Sequence, residues 1–110
     1  MTNTITLPPF DYSMAFVVYR QRLAPNGRWL PERQVWQLPR EEARAMLAAL
    51  ERDYAESMHE ADSRRGRGSA RARRIIRDVE RRCADIDRAR QALIAGLGGN
   101  IGNVVPFRAA

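Results

Sequence analysis

The chain has 110 residues, 45% of them apolar and 29% charged, with a formal net charge of +6. That is enough for one small domain with a thin, well-segregated core. It holds no run of about 18 apolar residues, which excludes a membrane-spanning helix.

All nineteen basic residues are arginine; lysine is absent. A GC-rich genome is one cause that would give this choice of residue, and it does not discount the charge. The charge is uneven. Residues 1–61 carry seven arginines against eight acids, a net of −1, and residues 62–110 carry twelve against five, a net of +7. A near-neutral front and a basic back imply a polyanionic partner for the back half. The opening MTNTITLPPFDY has neither a basic start nor a long apolar stretch, so no signal peptide is expected. Cys83 is the single cysteine. It leaves no internal disulfide and fits a reducing compartment, the cytoplasm of a bacterial host.

Thr4 to Leu7 is a candidate short strand. MAFVVYRQRL, residues 14–23, reads as a strand because β-branched and aromatic residues follow one another without a breaker. Ala24-Pro25-Asn26-Gly27 reads as a turn with Gly27 left-handed, and Arg28 to Leu38 as the returning strand, weakened by Pro31. The register that sets Phe16 opposite Trp36 also sets Arg20 opposite Glu32, an opposite-charge pair. It places Met14, Phe16, Val18, Leu30, Trp36 and Leu38 on the core face. Val17, Tyr19, Gln21, Trp29, Arg33, Val35 and Gln37 take the other.

Pro39 suits the first helical position, and Glu41 and Glu42 complement the helix dipole. Ala43, Met46, Leu47, Leu50, Tyr54 and Met58 follow at steps of three and four, an amphipathic helix of about five turns. Ser63 to Ser69 is a polar, glycine-containing connector, and Ser69 is placed to cap a second helix. Ala72, Ile75, Ile76, Val79, Cys83, Ile86, Ala89 and Leu93 mark that helix, with arginines opposite. It either folds back on the first helix or pairs with a copy of itself, so a homodimer through its stripe is one of two expected fates. Gly96, Gly98 and Gly99 end it, and Ile101, Val104, Val105 and Phe107 are candidates to dock on the core. The expected fold is α+β: an N-terminal antiparallel β-hairpin, or three strands, packed on a helix, then a basic connector and a second long amphipathic helix. In residue ranges these are a hairpin-plus-helix module at 1–61, an Arg/Gly connector at 62–70, the amphipathic helix at 71–96 and a glycine-containing tail at 97–110.

Catalysis is not expected, and neither is a metal or cofactor. His59 is the only histidine, the lone cysteine lies on an apolar stripe, and the acids of the first helix are spread around it. The glycines of GLGGNIG follow a helix rather than a strand, so they are a helix stop and not a phosphate loop.

Binding has three candidates. SRRGRGSARARR, Ser63 to Arg74, holds six arginines and no acid. With Arg77 it provides Arg64, Arg65, Arg67, Arg71, Arg73 and Arg74 as guanidinium forks for phosphate, against the plainer reading of a solvated tether. The outer hairpin face offers Tyr19, Gln21, Arg33 and Gln37 as base-edge readers, against that of a half-wet sheet face. Trp29, Tyr19, Ile76 and Cys83 are candidate contacts to a protein or a second copy.

FVVYRQRLAPNGRWLPERQVWQLPREEARAMLAALE, Phe16 to Glu51, resembles the arm-type (AP2-like) DNA-binding domain of phage tyrosine integrases. There a small sheet ending in an aromatic is followed by a T/P-x-x-E-A helix start, matched here by Trp36, Pro39, Glu42 and Ala43. The resemblance covers about a third of the chain. It implies a sheet in the major groove read by Tyr19, Gln21, Arg33 and Gln37. It departs from the family in lacking an evident first strand, in its sparser basic sheet and in having no catalytic domain after it. Three functions follow in order. The first is a non-enzymatic nucleic-acid-binding protein of phage or mobile-element type, with DNA ahead of RNA. The second is a phage-type inhibitor or adaptor, such as an anti-CRISPR protein, on an acidic protein or nucleoprotein surface. The third is a virion assembly protein.

Overall fold

A computed structural model describes residues 3–66 and 68–98. The fold is α+β, with a three-stranded antiparallel sheet and three helices among the described residues. In chain order these are β1 (Thr4–Thr6), α1 (Met14–Leu23), β2 (Arg28–Leu30), β3 (Val35–Pro39), α2 (Arg40–Arg64) and α3 (Ala70–Gly96).

Residues 14–23 are a helix, not a strand. The Ser13 hydroxyl accepts from Phe16 N–H at 3.2 Å, and the Asp85 carboxylate of α3 accepts from Ala15 N–H at 3.0 Å. Two of the amide groups that a helix start leaves without partners are thus satisfied, one of them from the other end of the sequence. Those bonds, with Phe16 fully buried, outweigh the strand preference of Val17, Val18 and Tyr19. The expected hairpin therefore moves along the chain. β2 pairs with β3 through Arg28↔Gln37, Trp29↔Trp36 and Leu30↔Val35, and β1 pairs with the other edge of β3 through Thr4↔Pro39, Ile5↔Leu38 and Thr6↔Gln37. Pro31 opens the β2–β3 turn instead of weakening a strand. Both Arg33 and Gln34 N–H bond Leu30 C=O, and Gln34 takes φ 55.

Of the expected core face, Phe16 and Leu38 are buried and Trp36 half-buried, whereas Met14 and Val18 lie on the exposed side of α1. The register puts Ile5 and Leu38 on one face of the sheet. The main core forms there with Leu7, Phe16, Met46, Leu50, Ile86, Leu93 and Leu97. Phe10, Tyr12, Phe16, Trp29 and Trp36 close its rim as a chain of tilted and edge-on rings. Gly27 is not left-handed; a Cβ there would stand 2.5 Å from Leu38 Cδ2, so its role is close approach.

Two long helices dominate the outline. Pro39, the last residue of β3, stands just before α2, and α2 runs on to Arg64, past the expected end of its apolar pattern. The Ser69 hydroxyl accepts from Ala72 N–H at 3.0 Å and starts α3 as the sequence implies. The two helices pack antiparallel over a second, smaller cluster of Ala61, Val79 and Cys83 with Met58 and Ile75 at its edge. The α3 stripe is buried inside the molecule, at Ala72, Val79, Cys83, Ile86, Ala89, Ala92 and Leu93. It folds back on α2, the first of the two expected fates. Leu97 joins the core, while Ile101, Val104, Val105 and Phe107 lie outside the described residues. No helix among the described residues is long and apolar enough to cross a membrane.

Candidate nucleic-acid interface

The arginines of the basic segment divide into two sets. Arg71, Arg73, Arg74 and Arg77 occupy the first two turns of α3, all exposed. None makes an ion pair among the described residues, and the segment from Ser63 to Arg77 contains no acid. At 100° per residue, Arg73, Arg74, Arg77 and Arg81 point away from Val79, Cys83 and Ile86. Packing of the apolar stripe thus fixes the outward direction of the basic one. Arg73 is further steadied by a bond from Nη1 to Gly68 C=O at 2.9 Å.

Carboxylates hold the second set. Arg64 reaches Glu60 at 3.7 Å, and Arg82 reaches the same carboxylate at 3.4 Å from α3. Arg65 bonds Asp62 at 2.9 Å and Glu80 at 3.1 Å, which ties the end of α2 to α3. The bonds to Asp62 and then Glu80 raise its pKa above the ordinary guanidinium value. Farther along α3, Arg81, Arg88 and Arg90 face Asp78, Asp85 and Asp87. The unneutralised field therefore belongs to the start of the helix. Periodicity places Arg81 on the polar side of α3 and Arg82 at the edge of its apolar stripe. Arg81 continues the four-residue step from Arg73 and Arg77, a signal that was present. Nothing local marks the bond from Arg82 to Glu60, 22 residues away.

No protein-family model matches the chain, and no curated protein or solved structure matches it.

The proposed base readers do not share a face. Tyr19 and Gln21 belong to α1, Arg33 is exposed in the β2–β3 turn, and Gln37 is half-buried on the central strand. Tyr19 faces inward and its hydroxyl bonds the Asp53 carboxylate of α2. The stretch that resembles an integrase arm domain is thus helix, strand, strand, helix, and its first segment offers no strand to a groove. Arg67 lies outside the described residues.

Of the candidate protein contacts, Trp29 is 43% exposed and Ile76 is half-buried beside Arg73 and Arg77. Cys83 is interior; burial raises its thiol pKa, so it is neither an exposed contact nor an activated nucleophile. Met14, Val17 and Val18 form the exposed side of α1. Among the described residues no group of three or more histidine, cysteine or acidic side chains has the geometry to hold a metal ion.

Proposed function

We propose that this chain is a non-enzymatic nucleic-acid-binding protein, with DNA ahead of RNA, that grips the phosphate backbone through the exposed arginines at the start of α3. One observation carries the reading: four exposed arginines, Arg71, Arg73, Arg74 and Arg77, lie within two helical turns with no carboxylate against them. The placement has a cost without a ligand. A helix start carries partial positive charge, and α3 has no acid in its first turn to offset it. A polyanion relieves both the mutual repulsion and the unfavourable dipole, and guanidinium forks bond phosphate oxygens in pairs.

Binding is sequence-independent on this reading, because backbone contacts position a protein without reading bases. Four neutralised phosphates give a slope of log affinity against log salt of about −3.6 on duplex and about −2.8 on a single strand. Fluorescence anisotropy with duplex DNA, single-stranded DNA and RNA across a salt series measures it. Replacing Arg71, Arg73, Arg74 and Arg77 with glutamine abolishes binding at low salt and leaves the helical circular dichroism intact. No binding by the wild-type chain to any of the three polymers sinks the reading. The inhibitor or adaptor reading draws on another surface, Met14, Val17, Val18 and Trp29. It gains if that arginine variant keeps its biological activity.

A further inference from the structure

The end of α2 and the start of α3 frame a hollow of about 260 Å³ lined by Arg64, Ser69, Arg71, Ala72 and Ile75. Ala72 is buried and Ile75 half-buried, so the surface the hollow presents is mostly polar. The two guanidinium groups come from different helices, Arg64 from the last position of α2 and Arg71 from the second of α3.

Arg64 is poorly satisfied where it stands. Its Nε is buried with no acceptor in reach. Its Nη2 lies 3.7 Å from Glu60, beyond hydrogen-bond length, and Glu60 is shared with Arg82. Arg71 has no carboxylate partner among the described residues. The Ser69 oxygen already accepts from Ala72 N–H, and its own hydroxyl proton is left to donate.

We propose that this hollow is a seat for one phosphate group, gripped from two sides by Arg64 and Arg71, with Glu60 its competitor for Arg64. The seat stands on geometry alone. Only the assignment of its occupant, a phosphodiester of a nucleic-acid backbone instead of free phosphate, rests on the proposed function. A phosphodiester has two unesterified oxygens, one for each of two guanidinium forks that approach it from different sides. The phosphate held here sits next to those met by Arg73, Arg74 and Arg77, so the seat fixes one end of the contact and the outer face of α3 continues it.

The test follows the arginine Nε–H resonances of the full chain by NMR during titration with inorganic phosphate, and separately with a short DNA duplex and with oligothymidylate. Arg64 and Arg71 are expected to shift together and saturate with all three, while Arg22 and Arg33 stay still in the phosphate arm. Arg64→Gln removes the saturable shift of Arg71, and Arg71→Gln, at an exposed position, removes that of Arg64. Glu60→Gln tightens phosphate by up to about fivefold, the equivalent of an exposed ion pair of up to about 1 kcal/mol. No saturable shift at Arg64 and Arg71, or an Arg71 titration indifferent to Arg64→Gln in a chain that keeps its circular dichroism, overturns the seat. If the polymers move Arg73 and Arg77 but not Arg64 and Arg71, the seat fails and nucleic-acid binding stands. If phosphate saturates both arginines and no polymer binds, the seat stands and the proposed function fails.

Discussion

Burial, and after it the bond to the Asp53 carboxylate, push the Tyr19 phenol up from its ordinary 10.0 to about 12. The folded chain therefore favours the protonated phenol more than the unfolded chain does. Its contribution to stability is complete below pH 10 and is lost as pH rises from 10 towards 12. Urea melts across that range should show Tyr19→Phe with a flatter pH profile than the wild type, and with about 1 kcal/mol less stability at neutral pH from the lost hydrogen bond. Equal slopes in the two proteins would refute the assignment. Reading Tyr19 as an outward side chain failed for a specific reason: its partner lies 34 residues away, on a helix whose position the local pattern does not reveal. Gly27 failed in the same way, since a glycine needed for the approach of Leu38 looks identical to one needed for a turn. The arginines were legible, because exposure of a guanidinium opposite an apolar stripe follows from periodicity alone.

At the scale of elements, α1 is the instructive case. Its first six residues, Met14 to Tyr19, are apolar on every side, so no period separates helix from strand. The deciding contacts are the Ser13 hydroxyl and the Asp85 carboxylate at the helix start. Asp85→Ala should cost about 1 kcal/mol and lower the helical signal, while Asp85→Asn, which keeps an acceptor, should recover most of it. Chemical denaturation followed by circular dichroism reads both, and an alanine variant as stable as the wild type would remove the carboxylate from the account. The other elements were largely readable. The spacing of Ala43 to Met58 marks α2, Ser69 marks the start of α3, and Thr4 to Leu7 contains β1. The hairpin lies later in the chain than strand propensity alone implies, because Pro31, which would weaken a strand, begins the β2–β3 turn.

At the scale of the whole molecule, composition revealed the charge imbalance but not its division. Five acids in residues 62–110 look like a uniform discount on the arginines. In the fold, Glu80 with Asp62 and Glu60 from α2 hold Arg65, Arg64 and Arg82, and the remaining acids face Arg81, Arg88 and Arg90. The positive field is left concentrated at the start of α3. Which arginine meets which acid depends on the antiparallel packing of α2 and α3, and one-dimensional spacing carries only the i,i+3 and i,i+4 pairs. The same packing decides the fate of the α3 stripe, which goes into the domain interior.

The last turn of α3 lies against the first strand: a Cβ added at Gly96 would stand 2.9 Å from Leu7 Cδ2 and 3.3 Å from the Thr6 carbonyl oxygen. The fold is therefore nearly a closed ring of chain, stitched where β1 and α3 touch and unpacked at Gly66 and Gly68, where an added Cβ would meet nothing within 4 Å. A circular permutant that joins Ala110 to Met1 and opens the backbone between those two glycines should keep the cooperative thermal transition of the parent. It would also present the arginines of α3 beside a new, freely moving amino terminus. A broad, non-cooperative melt would show instead that the short tether between α2 and α3 holds the two helices in register.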